Sequence, residues 1–149
     1  MHEIHELVAA LFSKDADYAY ESLGQLEALS ASSNAVYGHF DDFLEMLDNE
    51  NSYVRTRGFI MIVSNARWDA YCRIDENIER ILRILRDPKP VVARQCIKRA
   101  PDLARCKPNL RAKLLGTLEQ LLDTSYPESM QSLVHKDVSL AINRINSLP

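Results

Sequence analysis

"NSYVRTRGFIMIVSNARWD", residues Asn51 to Asp69, and "KPVVARQCIKRAPDLARCK", residues Lys89 to Lys107, read as one pattern written twice, 38 residues apart. Val54 falls on Val92, Gly58 on Cys96, Phe59 on Ile97, Ile62 on Ala100, Ala66 on Ala104 and Arg67 on Arg105. These positions follow the spacing of a helix face. A polar turn precedes each copy, "MLDNEN" in the first case and "ILRDPK" in the second. A helix pair of this length cannot bury its apolar side alone, so the period predicts units that stack on one another.

The same periodicity runs through the rest of the chain. With 149 residues, four glycines and six prolines, the sequence has too few turn residues for an all-β fold. It suits a single domain, 1–149, burying about two-thirds of the surface its unfolded form exposes. The spacing predicts a short first helix in "HEIHELVAALF" and a second over 16–31. Val36, Phe40, Phe43, Leu44 and Leu47 mark a third, and residues 53–66 a fourth. Ile74, Ile78, Ile81, Leu82 and Leu85 mark a fifth, which "RDPKP" ends. A sixth is predicted over 91–105, kinked or split at Pro101, and a seventh carries Leu110, Leu114, Leu118, Leu121 and Leu122. Ser125, Pro127 and Glu128 are spaced as a capping box that opens an eighth, through Met130, Leu133, Val134, Val138, Ala141 and Ile145. Short links make neighbouring helices antiparallel hairpins. The expected fold is all-α, a right-handed α–α superhelix of about four such hairpins, with atypical units at both ends.

The turn of the second copy, "DPKPVVAR", resembles the signature of HEAT repeats: an aspartate, a proline, then a valine and an arginine opening the second helix. "NENSYVR" is a looser version, with Asn49 in the aspartate place and Val54 and Arg55 matching. The resemblance covers about 34–106 and implies that Asp87, Asn49 or Asp48, and Arg55 are structural, forming a ladder of hydrogen bonds along the stack. Ala93 occupies the arginine place in the second copy, with Arg94 one position later. The resemblance implies a fold, and such folds serve many functions.

Charge is sorted along the chain. Residues 1–54 hold eleven acids and one base, Lys14, whereas residues 55–113 hold fifteen bases and six acids; the total is −3. Interspersed charges would solubilise equally well, so the sorting suggests a partner. Arg94, Lys98 and Arg105 share a side of the sixth helix, and Arg57 and Arg67 occupy comparable places one repeat earlier. These five are expected to form a basic strip across two repeats, the candidate partner-binding surface. Arg80 and Arg83 are expected on a solvated outer face. Trp68 is expected to close a helix end, and Asp69 to belong to the turn.

The search for chemistry is short. The sequence contains no GxxxxGK[ST], GxGxxG or GxSxG, and Asp41 and Asp42 are adjacent, so they point to different helix sides. His2 and His5 could share a helix face, His39 and His135 stand apart, and none has ligand spacing. Cys72, Cys96 and Cys106 form no CxxC pair and read as reduced thiols. Some HEAT-like proteins are DNA glycosylases that use tryptophan, aspartate and arginine on a basic face. Arg67, Trp68 and Asp69 resemble that set only as fold-level analogy. The expectation is a cytoplasmic, non-catalytic module without cofactor, metal or membrane, binding another protein through an acidic segment. Nucleic-acid binding or processing by the same strip is the alternative.

Overall fold

The structure, a computed structural model, describes residues 3–149. These form an all-α fold, 77% helical, with no strand among the described residues. The helices are α1 (Ile4–Ala10), α2 (Ala16–Ser32), α3 (Phe40–Met46), α4 (Ser52–Ser64), α5 (Arg73–Glu76), α6 (Ile78–Leu82), α7 (Pro90–Cys106), α8 (Arg111–Leu121) and α9 (Glu128–Asn146). Short 3-10 segments cover Tyr37–His39, Ala66–Trp68, Arg83–Arg86 and Pro108–Leu110. None of the described helices is long and apolar enough to cross a membrane.

The chain divides into two compact units, residues 1–74 and 75–149. In the first, α1 pairs with α2, α3 with α4, and α2 also meets α4. In the second, α7 packs against the 3-10 segment Arg83–Arg86, α8 and α9, and α8 packs on α9. Twelve acids and five bases give the first unit a net charge of −7, and nine acids and thirteen bases give the second +4.

The 38-residue register holds in three dimensions and extends beyond the two quoted stretches. Val36 and Ile74, Phe40 and Ile78, Phe43 and Ile81, Leu44 and Leu82, Met46 and Ile84, and Leu47 and Leu85 are all buried. So are Val54 and Val92, Gly58 and Cys96, Phe59 and Ile97, Ile62 and Ala100, and Ala66 and Ala104. The turns match as well: Asn49 Oδ1 accepts from Asn51 N at 2.8 Å, and Asp87 Oδ1 accepts from Lys89 N at 3.0 Å. Each is an Asx turn, in which a short polar side chain substitutes for the missing backbone partner. Helices α4 and α7 then begin 38 residues apart, at Ser52 and Pro90, and α9 begins 38 further on, at Glu128. Val134, Val138 and Ala141 are buried where α7 buries Cys96, Ala100 and Leu103.

Three local expectations change. The predicted fifth helix is interrupted at Asn77, whose φ of −112° and ψ of 16° separate α5 from α6, and it finishes as the 3-10 segment. Asparagine competes for backbone partners and so weakens a helix interior. Pro101 does not split α7, which runs unbroken for 17 residues. The proline is buried and the helix is packed by α8 and α9, so tertiary contacts offset the lost hydrogen bond. The capping box does not form: α9 starts at Glu128 itself, with Pro127 at the cap position and no side-chain cap.

Candidate partner-binding surface

The first unit turns its arginines inward or onto backbone. Arg57 is only 8% exposed, and its Nη1 donates to Leu11 O at 2.9 Å and to Ser13 O at 3.4 Å. Leu11 follows α1 directly, so the guanidinium meets the electronegative end of that helix. Burial pulls the Arg57 pKa down from its ordinary value, partly countered by Tyr53. Arg57 is therefore not part of a surface strip. A carbonyl partner more than forty residues away in sequence holds it inside.

Arg67 is exposed but donates to Ala31 O at 3.1 Å, and Trp68 Nε1 donates to Ser30 O at 2.7 Å. Both close the carbonyl end of α2, where the half-buried indole has its N–H donor engaged. Arg55 Nη1 bonds the turn carbonyls Asn49 O at 3.0 Å and Glu50 O at 3.2 Å. Asp69 is buried in the turn, accepting from Tyr37 Oη at 2.5 Å, Arg73 N at 3.0 Å and Ile74 N at 2.9 Å.

The second unit keeps cations at its surface. On α7, Arg94, Lys98 and Arg105 share one side, flanking the buried stripe of Val92, Ala93, Cys96, Ile97, Ala100 and Ala104. Arg94 is half-buried, and its Nε donates at 2.6 Å to Asp137 of α9, whose side chain is 7% exposed. Lys98 is exposed and makes no hydrogen bond or ion pair among the described residues. Arg105 is exposed and bonds Asp102 one turn back at 3.0 Å. Sequence reading missed Asp137 as the partner of Arg94, because the pair joins two helices 43 residues apart.

Other polar groups are structural in their geometry. Lys107 Nζ reaches Asp75 Oδ1 at 2.8 Å, and Asn109 Nδ2 reaches Asp75 Oδ2 at 2.6 Å. Burial alone would raise the Asp75 carboxyl, but the bonds from Lys107 and Asn109 outweigh it and hold the carboxyl below its usual range. Near the start of α9, Tyr126, Glu128, Gln131, Ser132 and His135 line an open hollow of about 350 Å³. Tyr126 Oη and His135 Nε2 are buried there without a hydrogen-bond partner among the described residues. His39 Nδ1 pairs with Asp42 at 3.0 Å, and His5 Nδ1 lies 3.6 Å from Glu3 Oε2; His2 lies outside the described residues. Cys72 is exposed, Cys96 buried and Cys106 intermediate, all as free thiols.

No protein-family model matches the chain, and no curated protein matches it in sequence. The crystal structure of an engineered protein is similar in fold, with a TM-score of 0.68 at 18% identity. The match covers 100% of this chain and 64% of that one, so the chain spans a little under two-thirds of that protein.

Proposed function

We propose that the chain is a HEAT-like, cytoplasmic, non-catalytic module that binds an acidic segment of a partner protein through its basic second unit. The observation that carries this reading is the side of α7 on which Lys98 lies exposed and unpaired, with Arg94 and Arg105 above and below it. Arg94 supports the surface as much as it decorates it: Asp137 fixes its guanidinium, so its remaining donors are held in place before a partner arrives. Charge of one sign steers encounter and sets orientation more than it sets affinity. Arg67 belongs to the acidic unit and Arg57 to the interior, so the surface proposed is Arg94, Lys98 and Arg105.

The test uses Lys98→Glu with Arg105→Glu, because Arg94→Glu would set an acid against Asp137 and confound folding with binding. The double variant should lose the partners that the unaltered chain recovers from a cell extract, while its helical circular dichroism stays the same. Unchanged recovery would sink this surface. Fluorescence polarisation with single- and double-stranded nucleic acid at physiological salt should give no binding above the nonspecific level.

A further inference from the structure

A second cationic feature of residues 75–149 is better formed than the first. Helix α6 and the 3-10 segment after it bury Ile78, Ile81, Leu82, Ile84 and Leu85, and turn Arg83 and Arg86 outward, both exposed. Lys89, in the turn that follows, is also exposed, and the charged groups of all three make no hydrogen bond or ion pair among the described residues. In a 3-10 turn, residues three apart eclipse one another, so Arg83 and Arg86 stand side by side, ~6 Å apart along the axis.

Packing does not require this charge. In the first unit the 38-residue register places Glu45 and Asp48 at the positions of Arg83 and Arg86, and both are exposed. The same element thus accepts either sign, and the second unit carries guanidinium where the first carries carboxylate.

The geometry points to a ridge, Arg83, Arg86 and Lys89, that takes an extended acidic segment with carboxylates at alternate residues. This rests on the reading above and deepens it: the α7 side attracts the acidic segment, and the ridge sets the spacing of its carboxylates. Same-face side chains of an extended chain lie ~6.6 Å apart, close to the arginine spacing, and each guanidinium can hold one carboxylate by paired hydrogen bonds. A helical partner would need an apolar groove, whereas only Pro88 and Val91 are exposed beside the ridge. Single-stranded nucleic acid would need aromatic faces to stack on, and Tyr126, with its hydroxyl buried, is the one aromatic residue in 75–149.

The experiment is fluorescence polarisation of a labelled peptide of alternating Glu and Ser, against the full chain and two double variants. A block peptide of equal composition and a duplex DNA serve as comparison probes. Arg83→Glu with Arg86→Glu should weaken the alternating peptide by ~10-fold or more, the loss of two close charge pairs. Lys98→Glu with Arg105→Glu should weaken the alternating and the block peptide alike, by ~3-fold or more, because the α7 side supplies attraction without a set spacing. Equal binding of the block peptide, or tighter binding of the DNA, overturns the ridge as a spaced carboxylate reader. Loss only in the Lys98 and Arg105 variant overturns the ridge while the α7 reading survives. No binding by the unaltered chain overturns both, and self-association abolished by the Arg83 and Arg86 changes assigns the ridge to a second copy instead.

Discussion

The two units solve one structural problem with opposite chemistry. Between the first helix of a pair and the end of the second, residues 1–74 place Tyr37 against Asp69, and residues 75–149 place Asp75 against Lys107. These are the same two positions in the 38-residue register, with the carboxylate moved to the other partner. In the first unit a neutral phenol and two backbone N–H groups surround the buried acid. In the second the acid meets an ammonium and an amide. The outer ion pairs correspond at one end only: Asp41 bonds Arg73, while its equivalent Glu79 bonds Lys113, two positions beyond the equivalent of Arg73. A fold of this kind therefore specifies that a polar bridge must stand at this point, and leaves its polarity open.

The sharpest way to break that equivalence is to remove the acid of one unit and the base of the other. Asp69→Ala strands three donors, two of them backbone, and should cost about 3 kcal/mol or more. Lys107→Met leaves Asp75 partly exposed and still bonded to Asn109, and should cost about 1–2 kcal/mol. Denaturant midpoints of the two variants check the order.

Next in size is Arg94→Ala, which leaves the Asp137 carboxylate buried without its ion-pair partner, at a cost of about 2–3 kcal/mol. Lys98→Ala, one turn away and unpaired, should stay within about 0.5 kcal/mol. Equal losses at the two sites would show that the ion pair adds nothing.

Gly58 and Cys96 give a third comparison. A Cβ at Gly58 would lie 2.7 Å from Met46 Cβ and 2.9 Å from the Phe43 carbonyl, so α4 approaches α3 too closely for any side chain. Gly58→Ala should lose about 1–3 kcal/mol by overpacking. Cys96→Ala removes a buried sulfur and should lose about 1 kcal/mol. Thermal melts of both variants measure the difference.

The two bridges should also respond to opposite ends of the pH scale. Burial, and then the bond to Asp69, push the Tyr37 phenol above its ordinary value, so its contribution holds below a pH of about 10 and is lost as pH rises through the folded value. The Asp75 carboxyl is held low, so its contribution is complete above a pH of about 4 and is lost as pH falls through the folded value. Hydrogen exchange resolved by peptide should open residues 75–149 first in acid, while in alkali both units loosen, because burial also raises the Tyr126 phenol of the second. Tyr37→Phe should flatten the alkaline limb and Asp75→Asn the acid limb.

A small gain is expected at Cys72, the one non-glycine residue with positive φ, 56°, among the described residues. Cys72→Gly relieves that conformation and should stabilise the chain by about 0.5–1 kcal/mol. A loss of stability there would mean that the thiol makes a contact of value to the first unit.

Helix positions and their buried faces were legible in the sequence because apolar spacing is a local property. Val54 and Val92 lie inside as the repeat requires, and Trp68 and Asp69 sit at a helix end and in a turn as expected. Long-range partners were not legible. Nothing in "VRTRG" distinguishes Arg55, which bonds its own turn, from Arg57, whose carbonyl acceptors lie in the α1–α2 connection. Nor could spacing along α7 reveal that Asp137 would claim Arg94 and leave Lys98 unclaimed. Of the two arginines expected on an outer face, Arg83 is exposed and Arg80 is half-buried and engaged, and the 3-10 geometry that aligns Arg83 with Arg86 depends on how the segment packs on α7. The break at Asn77 and the continuity through Pro101 are likewise decided by neighbours.

The paired Asx turns have a consequence for how such a chain can be lengthened or shortened. Asn51 precedes Ser52 and Lys89 precedes Pro90, each at the same point of an equivalent joint. Excising residues 52–89 would splice Asn51 directly to Pro90, a residue suited to the first position of a helix. The product would be one module shorter but would set Cys96 where Gly58 stood, against Phe43 and Met46, so the splice also needs Cys96→Gly; a duplication of the same segment, which keeps a glycine at that place, would be one module longer. Modular editing of this kind makes the length of the protein a design variable that gene synthesis can change in whole steps.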